Sequence, residues 1–286
     1  MEAAGIDQQE FRTRQRSAWN EASKGWRDWS EFIDRSTAPV SERLMAMARV
    51  EAGQRVLDVA AGYGEPSLTA ARIVGPEGVV VATDISAGML AYGRERAAAT
   101  GLANVEFIES DAASLDFPPA SFDAAVSRWG IIFEPDGEGA AARVRGFLKP
   151  GARMAISSWG PPERVPFIAL PMATVMKLLE VPPPPPGTPG PLSRPTPAAI
   201  GGLLEGGGFA EVEIEELEVT FEYDSAEEFT RSTQEMIPPV TNMLKPHPPE
   251  VQQRAWQAVT DAARAHASED GIVRFANLVL VAAGRA

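Results

Sequence analysis

One stretch of this 286-residue chain, residues 56–67 (VLDVAAGYGEPS), limits the possible folds more than any other. Its start, residues 56–59, is the apolar run typical of a parallel strand that is covered on both faces. Gly62 and Gly64 then allow a sharp turn and a close approach of the backbone to a ligand. Pro66 suits the first position of a helix, where its missing N–H is not needed. The stretch therefore predicts a ligand cradle at the carboxyl end of a strand, which is where open α/β sheets bind ligands.

Two later strands each end near an aspartate. Residues 79–82 (VVVA) predict a second buried strand. Asp84 follows it about 20 residues beyond the glycines, which is the spacing that places a carboxylate on a ribose diol. Residues 105–108 predict a third strand, which leads to Asp111. A single aspartate after a strand is commonly a helix N-cap, but Asp58, Asp84 and Asp111 at corresponding strand ends indicate a shared ligand.

The rest of the chain alternates strands and helices in the order expected of a parallel sheet. Further strands are predicted at residues 122–126, 153–157, 212–223 and 272–283, and helices at residues 66–74, 87–99, 137–147, 167–179 and 197–205. Residues 225–268 predict helices broken at two proline clusters. Aromatic residues recur at helical spacing within residues 1–36, and residues 41–50 predict a short amphipathic helix. The proline-rich residues 181–197 favour a stiff crossover.

The composition narrows the function classes. The chain has 44% hydrophobic residues and no cysteine, so thiolate metal sites and cysteine nucleophiles are excluded and a cytoplasmic location is expected. With 26 Lys and Arg against 39 Asp and Glu, the net charge is −13. Such a surface repels phosphate backbones, so we expect no nucleic acid partner. No window approaches the ~20 apolar residues that span a bilayer, and the N-terminus lacks a secretory pattern, so no membrane partner is expected either.

Several motifs in order resemble those of the class I S-adenosylmethionine-dependent methyltransferases, most closely the ubiquinone/menaquinone-biosynthesis-like branch. They are VLDVAAGYG (56–64), VATDIS (81–86), Met89-Leu90, ESDAASLDFP (109–118), FDAAVSRWG (122–130) and FLKPGARMAISSW (147–159). The resemblance covers roughly residues 40–160 and returns in the last strand. A lone glycine motif would be weak, whereas this ordered set is specific.

The resemblance implies a doubly wound α/β fold with a mostly parallel seven-stranded sheet, the Rossmann-like methyltransferase fold. We expect a helical cap at residues 1–50 and the cofactor-binding core at residues 51–160. Residues 161–224 would hold the remainder of the core with the proline-rich crossover. In the family the last two strands form a hairpin, so residues 225–270 would be an inserted helical lid, followed by the last core strand at residues 271–286.

The resemblance also implies the cofactor, S-adenosyl-L-methionine, with S-adenosyl-L-homocysteine as product. Asp58 and the Gly62–Gly64 turn would hold the methionine end, Asp84 the ribose, and Asp111 with Ala112 the adenine. The further predicted cofactor contacts are Ala60, Ile85, Met89 and Arg128. Ala60 replaces the first glycine of the family motif, which stiffens the loop without removing its turn. The implied activity is in-line methyl transfer to a small, apolar or aromatic acceptor.

Methyl transfer from a sulfonium needs little acid/base machinery, so the catalytic candidates are few. Tyr63 would lie beside the methionine moiety or the methyl group, or simply pack in its loop. Arg128 would bind a carboxylate or enolate, or pair with Glu134 or Asp136. His247 would be a base only after closure of the lid, and a surface or capping role is the alternative. The substrate-binding candidates are Trp19, Trp26, Trp129 and Phe133. Trp19 or Trp26 would lie on the methyl side, where an aromatic face attracts a sulfonium, or the N-terminal aromatics would only pack on the core. Trp129 and Phe133 follow the fourth strand, in a mainly apolar group that suits a planar or lipophilic molecule.

No metal is predicted, because no acidic cluster has a recognisable spacing. The sequence indicates no oligomeric state. Two other functions fit less well. A nucleotide (NAD)-dependent oxidoreductase would place a third glycine where this chain has Ser67, and it gives no role to Asp58 or Asp111. A protein that binds the cofactor but has lost transferase activity remains an alternative, because no base is identified.

Overall fold

A seven-stranded sheet organises the chain in the computed structural model, which describes residues 7–185 and 187–286. The strands are β1 (Arg55–Val59), β2 (Val79–Asp84), β3 (Val105–Glu109), β4 (Phe122–Arg128), β5 (Leu148–Trp159), β6 (Ala210–Tyr223) and β7 (Val273–Arg285). Their order is β3-β2-β1-β4-β5-β7-β6. Strands β1 to β5 are parallel, and β7 is antiparallel to both β5 and β6. The predicted doubly wound, mostly parallel sheet is confirmed.

The helices of the described residues are α1 (Gln8–Asp28), α2 (Ser30–Ala48), α3 (Ser67–Val74), α4 (Ala87–Ala99), α5 (Gly137–Phe147), α6 (Pro166–Leu179), α7 (Pro197–Gly206), α8 (Ala226–Met236), α9 (Pro238–Leu244) and α10 (Pro249–Arg264). Local sequence explains several of their starts. The side chains of Ser86, Asp136, Thr196 and Ser225 accept a backbone N–H at the first turn of α4, α5, α7 and α8. The predicted boundaries therefore lie close to the observed ones.

The sheet separates two apolar clusters. Val56 and Val80 belong to the cluster that includes residues of α2 and α3, whereas Leu57 and Val81 belong to the one that includes residues of α5 and α7. Successive strand residues point to opposite faces, and all four of these side chains are fully buried. Burial on both faces explains why β1 and β2 are continuous apolar runs instead of alternating ones.

The N-terminal helices differ from the prediction. The second helix begins at Ser30 and not near residue 41, and it continues through Pro39. Proline removes a helical hydrogen bond, but α2 lies against β4, β5 and β7, and this burial outweighs the loss. Residues 1–6 of the predicted cap and Pro186 of the proline run lie outside the described residues. None of the described helices combines the length and the apolar character that crossing a bilayer requires.

Helices α8 to α10 occupy the chain between β6 and β7. The chain leaves the sheet before α8 and returns to it after α10 at adjacent points, because Tyr223 at the end of β6 is the cross-strand partner of Val273 at the start of β7. Helix α8 lies against α1, and a Cβ added at Gly25 would be only 2.1 Å from the backbone oxygen of Glu235. The Trp29 indole N–H donates to Glu235 at 2.5 Å. The N-terminal helices and the α8–α10 segment therefore form one packed unit above the strand ends.

Candidate active site

A cavity of about 180 Å³ lies beside the carboxyl ends of the parallel strands. It brings together most of the residues predicted from the sequence. These are Trp19, Trp26, Ala60, Gly62, Tyr63, Asp84, Ile85, Met89, Asp111, Ala112, Arg128, Trp129 and Phe133. Asp58, Gly64 and His247 are predicted site residues that do not line it. Residues far apart in the chain thus converge on one space.

The glycine turn has the backbone that its sequence predicts. Gly62 has φ of 55°, and no atom lies within 4 Å of a Cβ built on it, so the loop is open at this point. Ala60 also adopts a left-handed conformation, with φ of 60°. Its methyl group is accommodated by Gly130, where an added Cβ would lie 2.4 Å from the Ala60 Cβ. Gly130 therefore compensates for the alanine that replaces the first glycine of the motif.

Asp58 supports the turn from beneath instead of lining the cavity. Its side chain is fully buried, and Ser67 at the start of α3 donates its hydroxyl to Oδ2 at 2.5 Å. Its Oδ1 has no hydrogen-bond partner among the described residues. Burial raises the pKa of Asp58 to about 7. The Asp58 carboxylate is thus held by α3 and does not line the cavity, and its contact with the methionine end of the cofactor stays a prediction.

Asp84 joins the glycine turn to the start of α4. It accepts the backbone N–H groups of Gly62 and Ser86, both at 2.8 Å. Burial raises its pKa to about 6. Asn20 of α1 covers the same corner, since its Oδ1 accepts the Ser86 hydroxyl at 2.7 Å and the Gly88 N–H at 3.1 Å. One carboxylate therefore orders the loop, and α1 closes over it.

Near the end of β3, three charged side chains each have one buried polar atom without a hydrogen-bond partner among the described residues. The Nε of Arg12 lies 3.8 Å from Oδ1 of Asp111 and 3.5 Å from Oε2 of Glu134. All three atoms are buried, and none has a hydrogen-bond partner among the described residues. Burial raises the pKa of Glu134, and the nearby Asp111 adds to this effect. Buried polar groups are normally hydrogen-bonded, so this end of the cavity is suited to a polar ligand.

Arg128 is held by hydroxyl groups and not by carboxylates. Its Nη1 donates to Thr37 at 2.7 Å and to Ser41 at 3.1 Å, and its Nη2 donates to the Tyr63 hydroxyl at 3.0 Å. The Tyr63 hydroxyl donates in turn to Asp34 at 2.8 Å. Burial raises the pKa of Tyr63, so its phenol is a hydrogen-bonding group and not a base at neutral pH.

The predicted alternative partners of Arg128 serve elsewhere. Glu134 faces Arg12, and Asp136 accepts the Gly139 N–H at 2.9 Å as the N-cap of α5. The alternative reading of Arg128 as a member of a salt bridge with either acid is therefore wrong. Arg128 lines the cavity, and the residue is only 7% exposed.

Aromatic side chains form most of the remaining wall. Trp129 and Trp159 stack at 4.4 Å between ring centroids. Trp19 meets Phe133 edge to face at 5.4 Å. The Trp26 indole N–H donates to the Met236 carbonyl at 3.0 Å, which ties α1 to the end of α8. The wall between α1 and the sheet is thus apolar and adjoins the α8–α10 segment.

A second cavity, of about 520 Å³, adjoins the first. It lies among α1, α6, α9 and the proline-rich crossover, and Trp19 and Phe133 line both cavities. His247 lines neither, because it lies in the turn between α9 and α10, where its N–H donates to Leu244. The structure therefore gives His247 no place among the groups that surround the site.

Some cavity residues could not be anticipated. Arg12 lies on α1 and Phe221 lies on β6, far along the chain from the motifs. Residues 236–239, at the α8–α9 junction, also line the cavity. The break at Ile237-Pro238-Pro239 was their only signal in the sequence. Among residues 7–185 and 187–286, no group of three or more acidic or histidine side chains could hold a metal ion.

The raised pKa of Asp58 predicts a pH-dependent stability. Its pKa is about 7 in the folded chain against an ordinary value of 3.8, so between these pH values the folded state holds a proton that the unfolded state has lost. The ionised, buried carboxylate therefore destabilises the folded protein above pH 7, and this penalty disappears as the pH falls towards 4. We expect Asp58→Asn to be more stable than wild type at pH 8, by on the order of 1–4 kcal/mol, and to lose that advantage near pH 4.5.

Urea unfolding of both proteins at the two pH values measures this difference. Asp224→Asn, which changes an exposed aspartate, is the control and should show no pH-dependent difference from wild type. An Asp58→Asn variant whose stability relative to wild type is the same at both pH values would show that burial does not shift the titration of this carboxylate.

Known proteins share the central part of this architecture. The profile of a family described as "Methyltransferase domain" matches residues 56–151. The chain is 36% identical over 139 residues to an aklanonic acid methyltransferase from Streptomyces sp. (strain C5), covering 46% of this chain and 63% of that protein. It is 38% identical over 117 residues to a ubiquinone/menaquinone biosynthesis C-methyltransferase from Pseudomonas putida, covering 41% and 46%.

The matched region spans less than two thirds of the length of each of these relatives. Among solved structures, the cyclase SpnF has a TM-score of 0.54 and 18% identity, covering 88% of this chain and 81% of that one, so the likeness concerns the fold. The family profile coincides with β1 to the start of β5, which carries the glycine turn, Asp84 and Asp111. Residues 56–151 therefore match a methyltransferase domain, and the similarity to these relatives supports a class I S-adenosylmethionine-dependent methyltransferase of the ubiquinone/menaquinone-biosynthesis-like branch.

Proposed function

We propose that this protein transfers a methyl group from S-adenosylmethionine to a small apolar or aromatic acceptor. One observation carries the proposal: Gly62, Asp84 and Asp111, which come from three different motifs of the family, line a single cavity. An adenosyl group needs a close backbone approach, a carboxylate for its ribose diol and polar partners for its base. Gly62, after β1, would allow the close backbone approach. Asp84, at the end of β2, would bind the ribose diol, and Asp111, after β3, would be a polar partner of the base.

The side chains around this space fit the cofactor. The unpartnered Oδ1 of Asp111 suits the exocyclic amine of adenine, and Asp84 suits the ribose hydroxyls. The open space above Gly62 leaves room for the methionine end beside the turn. Ile85, Met89 and Ala112 provide an apolar lining. When bound, the cofactor supplies a methyl group on a positively charged sulfur, which is an excellent leaving group.

The chain's own task is then to align the acceptor and to exclude water. Proximity and orientation can contribute on the order of 7–11 kcal/mol to such a reaction. We assign α1 and α2 as the cap and the α8–α10 segment as the lid, because residues of both line the cavity and contact each other through Trp26 and Met236. In-line displacement requires the acceptor to lie opposite the sulfur, and we assign the acceptor to the side of the cavity lined by Trp19, Trp26, Trp129 and Phe133. These aromatic faces also favour a cationic sulfonium.

The aromatic side chains of the cavity wall and the names of the two relatives support a class of acceptor. Stacked aromatic side chains favour a flat, apolar molecule. The two relatives are named for aklanonic acid and for ubiquinone and menaquinone biosynthesis. The net charge of −13 disfavours a nucleic acid acceptor. We therefore propose a small aromatic or quinone-like acceptor.

Cofactor binding without methyl transfer is the second candidate. It is favoured by the solved neighbour that is named a cyclase, because a fold alone does not determine the chemistry. An NAD-dependent oxidoreductase is disfavoured because Ser67 stands where the third glycine of a dinucleotide motif would be, and it donates to Asp58.

Titration calorimetry and a transfer assay separate these candidates. We expect S-adenosylhomocysteine to bind with a dissociation constant between about 1 µM and 1 mM, the range typical of enzyme substrates, and NADH not to bind. Radiolabelled S-adenosylmethionine incubated with phenols, quinones, aromatic acids and amines should label at least one aromatic acceptor. Absence of S-adenosylhomocysteine binding would refute the proposal, and binding without transfer to any acceptor would favour the second candidate.

A further inference from the structure

Arg128 is a buried cation without a counter-ion. Its side chain is 7% exposed, and no carboxylate of the described residues lies within 4.0 Å of its nitrogens. Its three hydrogen bonds go to neutral hydroxyl groups, those of Thr37, Ser41 and Tyr63. Burying an unpaired charge is costly, so a chain that keeps such a residue in a cavity wall has a use for its charge.

Two acids that act on Arg128 electrostatically, Asp34 and Glu65, are already engaged by other partners. Asp34 forms a salt bridge with Arg96 and accepts the Tyr63 hydroxyl. Glu65 accepts the Thr69 hydroxyl at 2.7 Å and lies 3.7 Å from Arg72. Neither acid is left to neutralise the guanidinium of Arg128 directly. The positive charge is therefore available to whatever fills the cavity.

The guanidinium also keeps free hydrogen-bond donors. Arginine has five N–H groups in a fixed plane, and the three contacts above use three of them. Because the side chain lines the cavity, the two remaining donors can serve a ligand. Two donors in one plane match the two oxygens of a carboxylate or the oxygen pair of a diketone enolate.

The place of Arg128 in the sheet indicates which ligand it contacts. The proposed cofactor residues follow β1, β2 and β3, whereas Arg128 ends β4 and adjoins the aromatic wall formed by Trp129 and Trp159. In the strand order, β4 lies on the other side of β1 from β2 and β3. Arg128 thus stands where the cofactor part of the cavity ends and the aromatic part begins.

We infer that Arg128 is the anion-binding residue of the acceptor site, so that the acceptor is an aromatic molecule whose methylated group is a carboxylate or an enolate. This inference rests on the proposed methyltransferase function. Thr37 and Ser41 hold the guanidinium in place as positioning residues.

An anionic acceptor accounts for the chemistry without a base. For a carboxylate, a new bond forms between the acceptor oxygen and the methyl carbon while the bond from that carbon to sulfur breaks. The bonding electron pair moves to sulfur, so the anion and the sulfonium become a neutral ester and a neutral thioether. No proton changes place. This agrees with the raised pKa of Tyr63, which keeps its phenol protonated at neutral pH, so that it has no phenolate with which to accept a proton.

Calorimetry on the protein saturated with S-adenosylhomocysteine tests the inference. The probes are benzoate, 2-naphthoate and anthraquinone-2-carboxylate, each compared with its carboxamide. We expect at least one carboxylate to bind wild type about 10- to 100-fold more tightly than its amide. Arg128→Gln should abolish that preference, Arg128→Lys should restore part of it, and Arg35→Gln, which changes an exposed arginine of α2, should leave it unchanged.

Three results would overturn the inference. The first is equal binding of all three carboxylates and their amides to wild type, a result that needs no variant and stands even if Arg128→Gln does not fold. The second is that Arg128→Gln still binds a carboxylate more tightly than its carboxamide, by the same factor as wild type. The third is that Arg128→Gln weakens S-adenosylhomocysteine more than tenfold but leaves 5′-methylthioadenosine unchanged, since Arg128 would then bind the carboxylate of the cofactor. Failure of wild type to bind S-adenosylhomocysteine would instead refute the proposed function.

Discussion

Replacing Asp84 by alanine is expected to raise the dissociation constant of S-adenosylhomocysteine by about 100-fold or more. Hydrogen bonds to a charged acceptor contribute about 1.5–3 kcal/mol each, and the variant loses two of them to the ribose. It also leaves the N–H groups of Gly62 and Ser86 without their acceptor, so the glycine turn loses its anchor to α4. Titration calorimetry of both proteins with S-adenosylhomocysteine measures the change.

Glu109→Ala is the matched control for this variant. Glu109 is the strand partner of Asp84 at the same sheet edge, but its side chain is exposed. We expect its affinity for S-adenosylhomocysteine to stay within twofold of wild type. Circular dichroism should show that Asp84→Ala retains the sheet. A folded Asp84→Ala variant that binds as tightly as wild type would contradict the assignment of the cofactor site.

Replacing Gly25 by alanine should disrupt the contact between α1 and α8. The added methyl group would lie 2.1 Å from the backbone oxygen of Glu235, and a backbone atom cannot move aside as the end of a flexible side chain can. Overpacking of this kind typically costs 1–3 kcal/mol. We expect a loss of about 2 kcal/mol in unfolding free energy and faster amide exchange in α1 and α8. Methyl transfer should fall as well, because Trp26 and Met236 join these helices over the cavity.

Gly202→Ala separates this effect from the intrinsic preference of helices for alanine. Gly202 lies inside α7, and nothing lies within 4 Å of a Cβ built there. This variant should gain about 0.5–1 kcal/mol. If Gly25→Ala were stabilised to the same extent, α1 and α8 would not be as closely packed as the structure shows. Urea unfolding and hydrogen exchange of both variants decide the matter.

Local sequence predicted the sheet and much of the site. The runs that became β1 and β2 are buried on both faces, and turn residues mark their ends, so their positions could be read directly. Asp84 and Asp111 were predicted because parallel strands bring their carboxyl ends to one edge. That rule places a residue at an edge but does not give the direction of its side chain. Asp58 shows the difference, since its carboxylate accepts the Ser67 hydroxyl and does not line the cavity.

Sequence patterns did not predict the long-range contacts that close the site. Asn20 meets Ser86, and Trp26 meets Met236, across 66 and 210 residues of chain. No periodicity links such positions, because each depends on how a helix is docked and not on its own sequence. The continuation of α2 through Pro39 has the same origin, since burial against the sheet offset an unfavourable residue. The pairing of Ala60 with Gly130 is likewise visible only in three dimensions.

The α8–α10 segment is inserted between β6 and β7, which pair as an antiparallel hairpin. Because Tyr223 and Val273 face each other across neighbouring strands, the chain leaves the sheet and returns to it at adjacent points. Residues can be added to or removed from this excursion without shifting the register of any strand. Under the proposed function, selection can therefore alter which acceptor is bound while the proposed cofactor site stays as it is.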